Sequence, residues 1–242
     1  MTHSVSRHSI GSVEFELTRK PVKHMRILVR PPHGEVEVVV PDDFSDTALR
    51  VAFIARIPWI KTQQQELRQQ ERQTARQWIS GETHYLWGRA WRLEVIEHQG
   101  AHQVRKSKNW RLQLWVQPGT SMENRGKLLD AYYRSQLQEE IPRLHERWGQ
   151  RMGVQLTDCR IKKMRTKWGS CNIDAARVWL NLELAKKPYE CLEYVFVHEL
   201  AHLLERNHNE RFIAYLDRFL PDWRQRRALL NRLPMAELAE QE

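Results

Sequence analysis

Cysteine is scarce in this chain of 242 residues: Cys159, Cys171 and Cys191 are an odd number and form no C-x-x-C pair. That count excludes a disulfide framework as the scaffold and points to a reducing compartment. Long apolar runs are missing too. No stretch approaches the roughly 18 apolar residues of a membrane span. The opening Met1-Thr2-His3-Ser4-Val5-Ser6-Arg7-His8 lacks the apolar core of a signal peptide. A soluble, cytoplasmic protein with no membrane partner is expected. Acidic residues are in deficit, 30 against 39 Lys and Arg, leaving a net charge of +9. Such a balance favours anionic partners, among them nucleic acid, nucleotides or acidic proteins. The excess is spread along the chain and selects none of them. No glycine-rich phosphate cradle, internal repeat or low-complexity segment is visible.

The length allows one large domain or two small ones with a real core. Ser12-Val13-Glu14-Phe15-Glu16-Leu17 and Glu35-Val36-Glu37-Val38-Val39-Val40 alternate polar and apolar residues. With Arg26-Ile27-Leu28-Val29-Arg30 ahead of the turn Pro31-Pro32-His33-Gly34, they predict a small antiparallel β unit. From Ser45 the pattern turns helical and passes into a polar run over 61–76, read as a solvated helix. Strands return between Gly81 and Gln117, with a turn at Gly100-Ala101-His102. Leu128, Leu129, Tyr132, Tyr133, Leu137, Ile141, Leu144 and Trp148 recur at three- and four-residue steps. They predict a long helix over 123–152 that Pro142 kinks or divides. Two strands follow within 154–184, then helices beginning near Lys187, Asn209 and Pro221, and an acidic end at 237–242. The organisation expected is an N-terminal β-rich region with a helical insertion over 1–120 and a hydrolase domain over 121–242.

The chemistry concentrates in Val197-His198-Glu199-Leu200-Ala201-His202, with His208 six residues on. Positions i and i+4 of a helix share a face, so His198 and His202 can present two imidazoles to one metal ion. Glu199 follows the first ligand, where its carboxylate can act as general base toward the attacking water. The setting is apolar: Tyr194, Val195, Phe196, Val197 and Leu200 surround three polar residues whose burial needs a compensating partner. A continued helix would turn His208 about 240° away from His202, at roughly 100° per residue. The helix must therefore stop between them, and Asn207 is the expected C′ residue. Asn209-Glu210-Arg211-Phe212 then reads as the cap and first turn of another helix. His208 is the preferred third ligand and Glu205 its rival. Three protein ligands leave a fourth position open, as a catalytic zinc site requires.

With these residues assembled, the chain resembles the YgjP-like metallopeptidase family, relatives of the SprT-like zinc proteins. The matching elements are Arg165-Thr166-Lys167-Trp168-Gly169-Ser170-Cys171, Leu180-Asn181, the segment from Tyr194 to Leu203, and Asn207-His208-Asn209-Glu210-Arg211-Phe212. The resemblance implies an α+β fold with a zincin-like metallopeptidase core, an active-site helix packed on a small mixed sheet, after an N-terminal β-rich region. It implies Zn2+ held by His198, His202 and His208, with Glu199 as the base. In zincins an edge strand aligns a peptide substrate by strand addition, and the strand pair around Trp168 to Leu182 is the candidate here. Arg165, Lys167, Trp168 and Ser170 are the expected substrate-binding residues. A metalloprotease acting on polypeptide, in proximity to nucleic acid as for SprT-like proteins, is the first reading. The alternative is a nucleotide pyrophosphatase acting on UTP, an activity also described for the family. It draws on the cations Arg160, Lys162, Lys163, Arg165 and Lys167, which the resemblance places beside the metal. A third reading, a nucleic-acid-binding module with structural zinc, leaves Glu199 without a use.

Overall fold

A computed structural model describes residues 5–30, 34–69, 76–164 and 166–232. The turn at 31–33, part of the polar run at 70–75, Arg165 and the acidic end at 237–242 lie outside the described residues. The chain divides into two compact units, Met1–Thr74 and Ala75–Ala236.

The first unit carries β1 (Val5–Ile10), β2 (Val13–Arg19), β3 (Arg26–Arg30) and β4 (Glu35–Val40) in the order β1-β2-β4-β3. The alternation of β2 and β4 puts Val13, Phe15, Leu17, Val36, Val38 and Val40 on the buried face. That face meets α1 (Asp46–Ile54), where Phe53 stacks on Phe15, and α2 (Ile57–Gln69), which contributes Ile60. Ser45 caps α1 by accepting the amide of Ala48. The sheet is mixed, because β2 and β4 run parallel, where the sequence suggested antiparallel pairing only.

The second unit opens with β5 (Thr83–Leu86), β6 (Arg89–Glu97), β7 (Gln103–Ser107) and β8 (Arg111–Val116), in the order β5-β6-β8-β7. The long helix α3 (Met122–Met152) passes Pro142 as one element, so the chain does not divide there into two helices. Its N-terminus is capped by Ser121 and it ends at Gly153, whose φ of 69° is the left-handed cap that glycine supplies without strain. Then come β9 (Asp158–Lys162), β10 (Gly169–Asn172) and β11 (Arg177–Asn181), forming a second sheet in the order β10-β11-β9. A 3-10 turn, Leu182–Lys186, leads to α4 (Tyr189–Ala201), α5 (Glu210–Phe219) and α6 (Trp223–Arg232).

One apolar cluster unites this unit, from Leu93, Leu112 and Leu114 of the first sheet through Leu137 and Trp148 of α3 to Phe196 and Leu200 of α4. This places the division near residue 74 rather than the expected 120. β5–β8 share their core with α3 and α4, so they belong with the helix that bears the metal motif. The turn between β5 and β6 also grips the 3-10 turn that leads into that helix: the Trp87 and Gly88 amides donate to the carbonyls of Ala185 and Lys186. Gly88 has φ of 75° and packs so closely on Pro188 that a Cβ there would lie 2.8 Å from its ring. Among the described residues no helix is long and apolar enough to cross a membrane.

Candidate metal centre

Helix α4 is buried on nearly every side, from Cys191 to Val197 and again at Glu199, Leu200 and Ala201. Such a helix tolerates a polar side chain only where it is partnered or serves a site. Glu193 is the partnered one. Its carboxylate accepts Trp148 Nε1 at 3.0 Å and pairs with Arg147 and with Arg226 of α6. His198 and Glu199 serve the site.

Helical hydrogen bonding ends at Ala201, and His202 is already the C-cap residue. The amides of Leu203 and Leu204 turn back to the carbonyls of Leu200 and Ala201, closing the helix with tight turns. With His202 as the cap, the C′ position falls on Leu203, four residues before the expected Asn207. Asn209 caps α5 as predicted, accepting the amide of Phe212 at 3.0 Å, which leaves His208 immediately outside the new helix. The connection returns His208 to α4: its Nε2 lies 3.0 Å from Nε2 of His198. The donor atoms of His198, His202 and His208 all fall within 4.8 Å of one another. The rival ligand, Glu205, is turned into its own loop, where its carboxylate accepts the Asn207 amide at 3.3 Å and faces Arg211 at 3.7 Å.

The donor set fits zinc. Two nitrogens bound tetrahedrally at about 2.0–2.1 Å stand roughly 3.3 Å apart, close to the His198–His208 separation. His202 sits against the backbone carbonyl of Glu205 through Nδ1, 3.3 Å away, a contact that orients the ring and leaves Nε2 for a metal. Burial, then the neighbouring His202 and His208, push the His198 pKa down to about 3, so this imidazole is neutral and its lone pair available. Burial lowers His202 as well. Phe212 lies beneath all three rings, with centroid distances of 4.7–4.9 Å. Its aromatic contact with the triad has no signature in the sequence beyond its place four residues after His208.

Glu199 is 6% exposed, and burial raises its carboxyl pKa to about 8, opposed by the charge of Lys167. The approach of β10 makes this packing close. A Cβ on Gly169 would stand 2.6 Å from Glu199 Oε1 and 2.7 Å from its Cγ. Only glycine admits the carboxylate there. Gly169 was quoted in the sequence as part of a motif, and its contact with Glu199 appears only once α4 and β10 are packed.

A cleft of about 590 Å³ runs from the triad along β10 and is lined by Lys167, Gly169, Ser170, Cys171, Asn172 and Asp174, with Arg206 opposite. Burial raises the Cys171 thiol to about 11, so it is a neutral wall. Lys167 and Ser170, two of the expected substrate-binding residues, line this cleft together with the three histidines. Trp168 faces a second, smaller cavity, and Arg165 lies outside the described residues. The buried Asn181 folds this approach: its Nδ2 donates to the carbonyls of Met164 and Lys167 at 2.9 and 2.7 Å, and its Oδ1 accepts the Glu183 amide.

The basic cluster separates in space. Arg160 and Lys162 ride on β9, at the opposite edge of the sheet from β10. Arg160 pairs with Asp158, and Lys163, just past β9, pairs with Asp130 of α3. Among the described members of this cluster, Lys167 is the one that lines the cleft. Among the described residues, the positive charge near the histidines comes from Lys167 and Arg206 at the cleft and Arg227 at the adjoining cavity.

A family model described as the YgjP-like metallopeptidase domain matches residues 23–233, most of the chain. The chain belongs to the YgjP-like family. This YgjP-like protein therefore carries a metallopeptidase-type domain, with a histidine triad that can hold a divalent metal. No curated protein matches it significantly.

Proposed function

We propose that this YgjP-like protein is a zinc-dependent peptidase in which His198, His202 and His208 hold the metal and Glu199 is the general base. The observation that carries the reading is the juxtaposition of the triad, the buried Glu199 carboxylate and the unpaired edge of β10 along one cleft. Zinc, when bound, supplies Lewis acidity that activates water and polarises the scissile carbonyl. The chain's own residues do the rest. β10 pairs only with β11 among the described strands, so its outer edge offers amide and carbonyl groups to an extended peptide. Glu199 takes a proton from the attacking water and passes it to the leaving amine. Lys167, whose charge is felt by that carboxylate, limits how far burial neutralises it.

The nucleotide reading rests on the basic segment and on the family resemblance, and it is weakened because β9 carries Arg160 and Lys162 at the far edge of the sheet from β10. The test offers zinc-loaded protein casein and UTP in parallel. Casein cleavage is expected, with Glu199→Gln retaining zinc and losing about 10²–10⁴-fold in rate. UTP hydrolysis without casein cleavage, lost in the same variant, would replace the peptidase reading. Unchanged activity in Glu199→Gln would remove Glu199 from the chemistry.

A further inference from the structure

Beside the metal cleft lies a cavity of about 230 Å³ that shares Lys167, Gly169, His198 and Glu199 with it, so it opens directly onto the reacting centre. Small-molecule sites commonly run to roughly 300–1,000 Å³. This one has the size of an amino-acid side chain. Its walls are Trp168, Tyr194, Val195 and Leu230, with Arg227 of α6 and Lys167 at its rim. We propose that this cavity is a substrate subsite that selects an acidic side chain, with Lys167 and Arg227 as the groups that read its charge. The proposal rests on the peptidase reading.

Two independent features of the chain support it. The first is sign. The cavity is lined by two cations and a single acid, and that acid is Glu199, committed to the chemistry. The second is that neither cation is held in an ion pair. Elsewhere on α6, Arg224 pairs with Asp217, and Arg226 pairs with Asp222 and Glu193. Lys167 and Arg227 make no ion pair with any described residue. Arg227 nevertheless stands close enough to the site for its charge to act on both Tyr194 and His198. Apolar walls would bury the methylenes of a Glu or Asp side chain, while the cations at the rim meet its carboxylate.

Position along the substrate follows from the strand. A peptide added antiparallel to β10 runs toward the Lys167 end after the scissile bond. The cavity sits at that end, next to Glu199, so it receives the side chain of the residue that follows the bond. Opposite charge, by the same geometry, is repelled there.

The experiment uses the full chain loaded with zinc and three pools of decapeptides, random except for a fixed central Glu, Gln or Lys. Binding of each pool to the Glu199→Gln protein is measured by calorimetry. Cleavage by the unaltered protein is read by mass spectrometry of the products, which gives the position of the fixed residue relative to the cut. The Glu pool is expected to bind about tenfold tighter than the Lys pool, with Gln between, and added salt should narrow the gap. Arg227→Glu, combined with Glu199→Gln, should reverse the order, with zinc content and melting temperature showing that the fold is kept. Equal binding of the pools, no binding of any, or an order indifferent to Arg227→Glu overturns the subsite. Preferential binding of the Glu pool without cleavage of any peptide leaves the subsite standing and sinks the peptidase reading. Cleavage without charge preference does the reverse.

Discussion

Glycine at position 169 illustrates how far a single hydrogen atom can matter. Its missing side chain is the space that Glu199 occupies, and any Cβ there would collide with the end of that buried side chain and force it to move. Gly169→Ala should therefore displace Glu199 while sparing the three histidines, which are held by α4 and by the cap of α5. Peptidase rate is expected to fall about 10²-fold, the scale of a misplaced catalytic group, with zinc stoichiometry unchanged. Full activity in the variant would show that the carboxylate has room elsewhere, and zinc loss in step with activity would show that the whole site had moved. At this scale the sequence was most informative where chemistry dictates spacing. His198, Glu199 and His202 were legible because one helix face and one metal leave little choice. Gly169, Asn181 and Phe212 act through tertiary contacts, and nothing local to them announces which atoms they will meet.

The active-site helix is fixed from two sides by one of its own carboxylates. Glu193 binds Trp148 and Arg147 of α3 and Arg226 of α6, so a single side chain joins three helices around the motif. Glu193→Ala would strand the Trp148 N–H in an apolar core and leave the Arg226 guanidinium with Asp222 alone. Breaking a buried pair from one side costs roughly 3 kcal/mol, and a drop of that order in urea-unfolding free energy is the expected result. Because Arg147 is half exposed and can turn to water, its share should be small, and Arg147→Ala should cost well under the Glu193 variant. Equal costs for the two variants would mean that the surface pair, and not the buried one, holds the helices. The helices themselves were largely legible from period and caps: Ser45, Asn209 and the Leu128 to Trp148 stripe all did what their patterns predict. The end of α4 was not. Asn207 is the better C′ residue by propensity, yet the chain stops at His202, where Leu203 and Leu204 pack on the core and His208 must return. Tertiary demand outweighed the local signal.

Over the whole molecule, the two four-stranded sheets follow one topology: an antiparallel hairpin, a parallel pairing between its second strand and the fourth, and a third strand at the edge. No repeat shows in the sequence because the pattern that folds them is only alternation, which Val13-Glu14-Phe15 and Leu112-Gln113-Leu114 meet with different residues. The domain division was misplaced for a related reason: alternation identifies a strand but not the core it joins. The second unit begins with a polar contact that carries a measurable pH signature. Glu82 accepts the amides of Gln77 and Trp78 and lies 3.1 Å from Nε2 of the buried His84. Burial pushes the His84 pKa down to about 4, against the pull of Glu82. The unfolded chain then binds a proton near pH 6.5 that the folded chain refuses until about pH 4. Stability from this group is complete above the higher value and is lost as pH falls through that window, by roughly 3 kcal/mol in all. Metal-free protein, so that zinc release does not intrude, should show urea midpoints that fall between pH 6.5 and 4. Residual slope will come from His198 and His202, whose burial acts in the same direction, and from Glu199, whose raised carboxyl pKa acts in the opposite one. His84→Gln retains a side chain that can reach Glu82 and has no proton to gain, so its curve should be shallower by His84's share. Parallel curves for the two proteins would mean that His84 titrates alike in the folded and unfolded chains.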